Sequence, residues 1–223
     1  MRGVIEDEGR LATMKQYRLM DQAEEPQFDA IVREAAEMLG TSMSTVTLID
    51  AKRQWFKARV GVPHQETPLA ESICAHVVAT GEALVLPDAG ADARFDDNAK
   101  VGGEDGVRFY AGVPLTLRDG ARIGALCVLD KAPRGGVDPA SMAGLERLAR
   151  RTVAAFEASR DIAEAIGSDP ITAEDRVWLG QATTWLERAA AALDRVGASA
   201  PAAELDHVIA MVEAMRDAPE DGG

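Results

Sequence analysis

The stretch GVRFYAGVPLTLRDGARIGALCVLD, residues 106–130, constrains the fold more than any other part of the chain. Two apolar runs flank an Arg-Asp-Gly turn, the pattern of a β-hairpin. The first run carries Arg108, Phe109 and Tyr110 side by side, and the second carries Cys127. Side chains alternate along a strand, so Arg108 and Tyr110 share one face and Phe109 takes the other. If Phe109 enters a core, both polar tips point away from it. The hairpin therefore predicts a two-sided sheet, one face packed and the other polar enough for a pocket.

The flanking segments supply the rest of such a sheet. Phe28, Ile31, Val32, Ala35, Met38 and Leu39 fall on one helical face, and Gly40 stops the helix. TSMSTVTLID and QWFKARVG read as two strands joined by a short turn, and ALVLPD as a further short strand. VPHQETPLAE is a long connection with two prolines. SICAHVVATGE is a short helix, with Ser72 as its cap and Gly81 as its stop. AGADARFDDNAKVGGEDG is a loop. From Asp138 a long helix runs to about residue 165, with Pro139 in its first turn. Hairpins imply antiparallel pairing, and the helices must cover a sheet face. The fold class is α+β.

The ends of the chain are helical. Residues 1–23 predict a lead-in helix carrying Leu11, Met14, Leu19 and Met20. GSDP at 167–170 ends the main block of residues 24–166. Residues 167–218 then read as an αα-hairpin: Thr172 and Asp175 resemble a capping box, and Trp178, Ala182, Trp185, Ala189 and Leu193 repeat at helical spacing. GASAP is the turn, and Leu205, Val208, Ile209, Val212 and Met215 form the second stripe. Residues 219–223 are expected to be a disordered tail.

Charge and cysteine usage narrow the function. The chain carries 37 acidic against 24 basic residues, a net charge of −13. That balance argues against nucleic acid or an anionic membrane as partner, since both need a basic face. No apolar run approaches the roughly 18 residues that span a bilayer. MRGVIEDEGR lacks the apolar stretch of a signal peptide, and two cysteines make no disulfide framework. A cytoplasmic protein is expected. His64, His76 and His207 lack metal-ligand spacing.

Five separated motifs, TLIDAKRQWFKARVG, SICAH, PDAGADARFDDN, VRFYAGVPL and GALCVLD, occur in this order and together resemble a GAF domain. They are most similar to the bacterial subfamily found beside histidine kinases and diguanylate cyclases. The resemblance covers about residues 24–160. It implies a central antiparallel sheet of about six strands, helices on one face, and loops over a small-molecule pocket on the other. DDNAKV departs from relatives that carry a proline after the asparagine, which implies a slightly different loop there.

The candidate ligand-binding residues are Trp55, Cys74, His76, Asp92, Arg94, Phe95, Arg108 and Tyr110. Trp55 and Phe56 lie on opposite faces of their strand, one under the helices and the other toward the loops. Arg94 sits among Asp92, Asp96 and Asp97. Its planar fork either fixes the loop by an ion pair or grips an anionic ligand group. Cys127, in an apolar strand, reads as a buried inert thiol. Cys74 and His76, two apart on a helix, point to different sides, which disfavours a Cys-His nucleophile. Family branches that attach a bilin through a cysteine next to a histidine, or reduce free methionine sulfoxide with several cysteines, are not matched: Ala75 intervenes here, and there are only two thiols.

These features imply a stand-alone sensory domain that is not an enzyme, because 223 residues leave no room for a kinase or cyclase beside it. The expected partners are an unidentified small molecule, a second copy of the chain, and a separate signalling protein such as a histidine kinase. No cofactor is assigned, because GAF domains bind cyclic nucleotides, amino acids, tetrapyrroles and others. The competing classes are an interaction module with a filled core and a small thiol redox enzyme using Cys74. Two-fold pairing is expected to bury Trp178 and Trp185, or else they dock on the parent domain.

Overall fold

In the computed structural model, six strands form one antiparallel sheet in the order β3-β2-β1-β6-β5-β4. The structure describes residues 2–22, 25–102, 106–166, 173–195, 205, 208–213 and 216–217. The strands are β1 (Met43–Ile49), β2 (Arg53–Val60), β3 (Glu66–Pro68), β4 (Leu84–Leu86), β5 (Phe109–Thr116) and β6 (Arg122–Asp130). The helices are α1 (Arg2–Ile5), α2 (Glu8–Gln16), α3 (Pro26–Leu39), α4 (Cys74–Thr80), α5 (Pro139–Ile166) and α6 (Ala173–Arg195). The chain divides into two compact units, residues 1–161 and 162–223.

Alternation sets the two faces of the sheet. Val46 and Leu48 of β1 pair with Leu126 and Gly124 of β6, and Val113 pairs with Leu126. Val46, Leu48, Val113, Leu126 and Val128 form one apolar layer with Phe28, Ile31 and Val32 of α3 and Leu145, Leu148 and Phe156 of α5. The Phe28 and Phe156 rings stack with centroids 4.6 Å apart. The intervening positions, Ile49, Tyr110, Ala125 and Cys127, face the other way and pack with Val77 and Val78 of α4 and Phe95 of the following loop. Two buried clusters therefore sandwich one sheet, with the long helices on one side and α4 and the loops on the other.

The hairpin of residues 106–130 closes as its turn chemistry requires. Gly120 takes φ +87°, its N–H donates to the Leu117 carbonyl at 2.9 Å, and Asp119 Oδ1 accepts from the Ala121 N–H. Asp138 caps α5 through Oδ1, which accepts from the Ala140 and Ser141 N–H groups. Helix α4 starts at Cys74, and Ser72 Oγ accepts from the Ala75 N–H at 3.1 Å.

Three departures from the sequence reading have physical causes. The lead-in is two helices, broken before Asp7, whose carboxylate caps α2 by accepting from the Arg10 N–H. Arg10 lies buried and donates from Nη1 to the Ile49 carbonyl at 2.7 Å and from Nη2 to Ile5. The connection 62–71 contains the edge strand β3, pairing Arg53–Trp55 with Glu66–Pro68. A β-bulge interrupts β2: Val46 pairs with Ala58 and Thr47 with Phe56, which leaves Lys57 as the extra residue. Lys57 turns under α3, pairs with Glu25 and lies 5.3 Å from the centroid of Phe28.

In the C-terminal unit, α6 buries Thr183 and Ala190, with Leu179 and Leu186 half-buried beside them. That face differs from the expected stripe. Trp178 and Trp185 are 58% and 62% exposed in the chain. Residues 208–213 are helical. Thr172, the GASAP turn, Met215 and the tail 219–223 lie outside the described residues.

Candidate functional site

A cavity of about 750 Å³ opens on the sheet face opposite α3 and α5. Its floor is built from the cavity-facing positions of four strands: Thr45 of β1, Gln54 and Phe56 of β2, Tyr110 of β5 and Cys127 of β6. Ile73 and Cys74 at the start of α4 form one wall. The loops at 61–64 and 99–102 form others. Lys100, whose ammonium lies 3.5 Å from Glu71, and Lys131 stand among the lining residues.

Two hydrogen-bonded relays cross this floor. Tyr110 Oη donates to Cys74 Sγ at 3.2 Å. Cys74 Sγ lies 3.5 Å from Cys127 Sγ, which is 3.1 Å from Thr45 Oγ1, itself 2.7 Å from Thr47 Oγ1. A second relay runs from Ser72 Oγ to Gln54 Oε1 at 2.6 Å and from Gln54 Nε2 to Thr67 Oγ1. Donation from Cys127, together with Tyr110 and Thr47, pulls the Cys74 thiol below its ordinary pKa despite burial. Cys127 moves the other way, because it supplies a proton to Cys74 and is itself buried. Burial holds Tyr110 well above the usual phenol value, so it remains a neutral donor.

Cys74 and Tyr110 are the two of the eight sequence candidates that line the cavity. Trp55 lies on the opposite face, buried under the helices. It pairs in register with Leu48, and cross-strand partners share a face. Phe56 therefore takes the cavity side. The sequence established that these two rings oppose each other but not which one faces the cavity. Arg94 is engaged by its own loop: its Nε and Nη2 donate to the two Asp92 oxygens at 2.9 and 2.6 Å, and the pair holds Asp92 down to about 2. Arg108 makes the same fork with Asp88, at 2.7 and 2.6 Å. Phe95 is buried against the His76 ring, centroids 4.7 Å apart, behind α4. Burial, with Arg94 nearby, pulls the His76 imidazole below its usual value. Among the described residues, no three His, Cys, Asp or Glu side chains converge to hold a metal.

Helices thus cover one face of the sheet and a lined cavity opens on the other. The comparison with known families agrees: the GAF domain model matches residues 24–156, more than half of the chain, and the chain belongs to the GAF domain family. A cyclic di-GMP phosphodiesterase of Pseudomonas aeruginosa is 36% identical over 156 residues, 70% of this chain. The chain spans about a quarter of the length of that relative, the match covering 27% of it. Among solved structures, the GAF domain of an Acinetobacter phosphoenolpyruvate-protein phosphotransferase superposes with a TM-score of 0.52 at 19% identity, covering 70% of this chain and 98% of that one. The free methionine-R-sulfoxide reductase of Neisseria meningitidis gives a TM-score of 0.52 at 20% identity, covering 69% and 90%. At such identities these two structures establish the fold alone.

Proposed function

We propose that the chain is a regulatory, non-catalytic sensor that binds a small molecule in this cavity. Binding is signalled through the terminal helices to a partner protein, such as a kinase, or across a homodimer. The observation that carries the reading is the cavity itself. Its volume lies within the roughly 300–1,000 Å³ typical of small-molecule sites, and its lining mixes apolar side chains with polar and charged ones such as Gln54, His64, Lys100 and Lys131. The floor strands β1, β2 and β6 carry α3 on their other face, so a displacement of the floor reaches a helix directly. A similar segment within a cyclic di-GMP phosphodiesterase supports a role beside a separate output activity. The reading places the chain in the cytoplasm, where two free thiols stay reduced.

Native mass spectrometry of the purified full chain tests it. The expected result is a bound small molecule that leaves on denaturation and whose return protects the loops at 61–64 and 99–102 from hydrogen exchange. An empty chain, with no change in melting temperature across nucleotides, amino acids and organic acids, overturns it. The exposed Trp178 and Trp185 would then favour the second reading, an interaction module that works without a ligand.

A further inference from the structure

We propose that Cys74 and Cys127 form a reversible dithiol–disulfide pair that responds to small hydroperoxides entering the cavity. The two residues are 53 positions apart in sequence, yet their sulfurs lie 3.5 Å apart in the cavity floor. A disulfide needs about 2.05 Å, so roughly 1.5 Å of approach closes the bond. Both thiols are free and border the cavity, Cys74 with 4% and Cys127 with 1% of its surface exposed, so the oxidant that reaches them must be as small as hydrogen peroxide. The chain has no third cysteine to compete. The proposal stands whether or not the cavity also holds a ligand.

The surroundings assign different roles to the two sulfurs. Cys74 Sγ accepts from Tyr110 Oη and lies 3.5 Å from the Cys127 sulfur, and hydrogen bonds donated to a sulfur favour its thiolate. Its downward shift and the upward shift of Cys127 point the same way. Cys74 is the attacking sulfur. Its thiolate attacks one oxygen of the hydroperoxide, the O–O bond breaks, and the leaving oxygen departs as alcohol or water after taking a proton. Cys74 is left as a sulfenic acid. The Cys127 sulfur then attacks the Cys74 sulfur, releasing hydroxide, which takes the Cys127 proton and leaves as water. In sum, two thiols and one hydroperoxide give one disulfide, one alcohol or water, and one water. The thiols lose two electrons and the peroxide gains them.

The bond would tie α4 to β6 across the floor. It would also change the sulfur that the fully buried Tyr110 Oη donates to, from a thiol to a disulfide sulfur. Oxidation thereby changes both the shape and the polarity of the cavity.

Treating the native full chain with hydrogen peroxide as the probe, quenching it, and counting thiols after unfolding tests the pair. The expected result is a fall from two titratable thiols to none at one equivalent of peroxide. A proteolytic digest should contain one cross-linked peptide holding Cys74 and Cys127 of the same chain, and dithiothreitol should restore both thiols. Cys127→Ala should stop at a sulfenic acid on Cys74 that dimedone traps, and Cys74→Ala should leave Cys127 unoxidised. The digest of the unaltered chain decides the question even if either variant fails to fold. Persistence of both thiols, a cross-link only between chains, or oxidation that appears only after unfolding would overturn the proposal.

Discussion

Tyr110 reaches Cys74 because residue 112 has no side chain. The Tyr110 ring lies across Gly112, and a methyl there would fall well inside contact distance of the phenol oxygen. Gly112→Ala is expected to displace the ring, break the bond from Oη to Cys74 Sγ, and lower stability by about 1–3 kcal/mol, the range for overpacking a filled core. The midpoint of urea unfolding reads the loss. On the other face, Phe28 is stacked on Phe156 and lies under the Lys57 ammonium. Phe28→Ala should cost about 3–5 kcal/mol in the same measurement, because it opens a hole between sheet and helices. At this scale the sequence was least informative about the site. Of the two roles the sequence left open for Arg94, the structure shows the loop-fixing ion pair, with Asp92, and Arg108 makes the same fork with Asp88, a pairing no local pattern marks. Cys127 looks inert in its strand, and only the fold brings Cys74 beside it.

Most elements were legible because each carries its own period and its own punctuation. The face of α3, the two hairpins and the start of α5 at Asp138 all follow from residues within a few positions of one another. Asp138→Ala removes an oxygen that accepts from two N–H groups of the first turn of α5. It should cost about 0.5–2 kcal/mol, read from unfolding midpoints, with the cavity intact. What the sequence hid was set by pairing rather than by local pattern. Strand β3 is three residues long and ends in proline, too short to show alternation. The bulge at Lys57 exists only relative to β1. In α6 the buried positions are one residue out of phase with the tryptophan stripe, so the largest side chains stay outside.

At the scale of the whole molecule, the carboxylates define behaviour in acid. Asp88, Asp92, Asp138 and Asp161 all titrate below their ordinary 3.8, each chiefly through hydrogen bonds from Arg108, Arg94, Ser141 and Arg118. A carboxyl with a depressed folded pKa contributes stability above its unfolded value and loses that contribution as the pH falls through its folded value. Stability should therefore decline from about pH 4 toward pH 2, where Asp92 takes its proton, and thermal melts across that window would show it. The exposed tryptophans bear on assembly. Sedimentation of the full chain should show a dimer at micromolar concentration that Trp178→Lys with Trp185→Lys converts to monomer. A monomeric unaltered chain would overturn the dimer and leave the stripe to docking within the chain or to a different partner.

The placement of the first two helices bears on how this protein can be dissected. Ile5 of α1 belongs to the cluster on the cavity side of the sheet, while Met14, Tyr17 and Leu19 belong to the cluster on the other side. The recognisable family segment begins at residue 24, but the folding unit begins earlier. A chain cut at that boundary would bare apolar surface on both layers at once and leave the Ile49 carbonyl without the guanidinium of Arg10. Such a fragment should aggregate or melt at a distinctly lower temperature than one starting at residue 2, a difference that gel filtration and a thermal scan would separate. Trimming to the family boundary would thus report on a damaged sheet rather than on the intact domain.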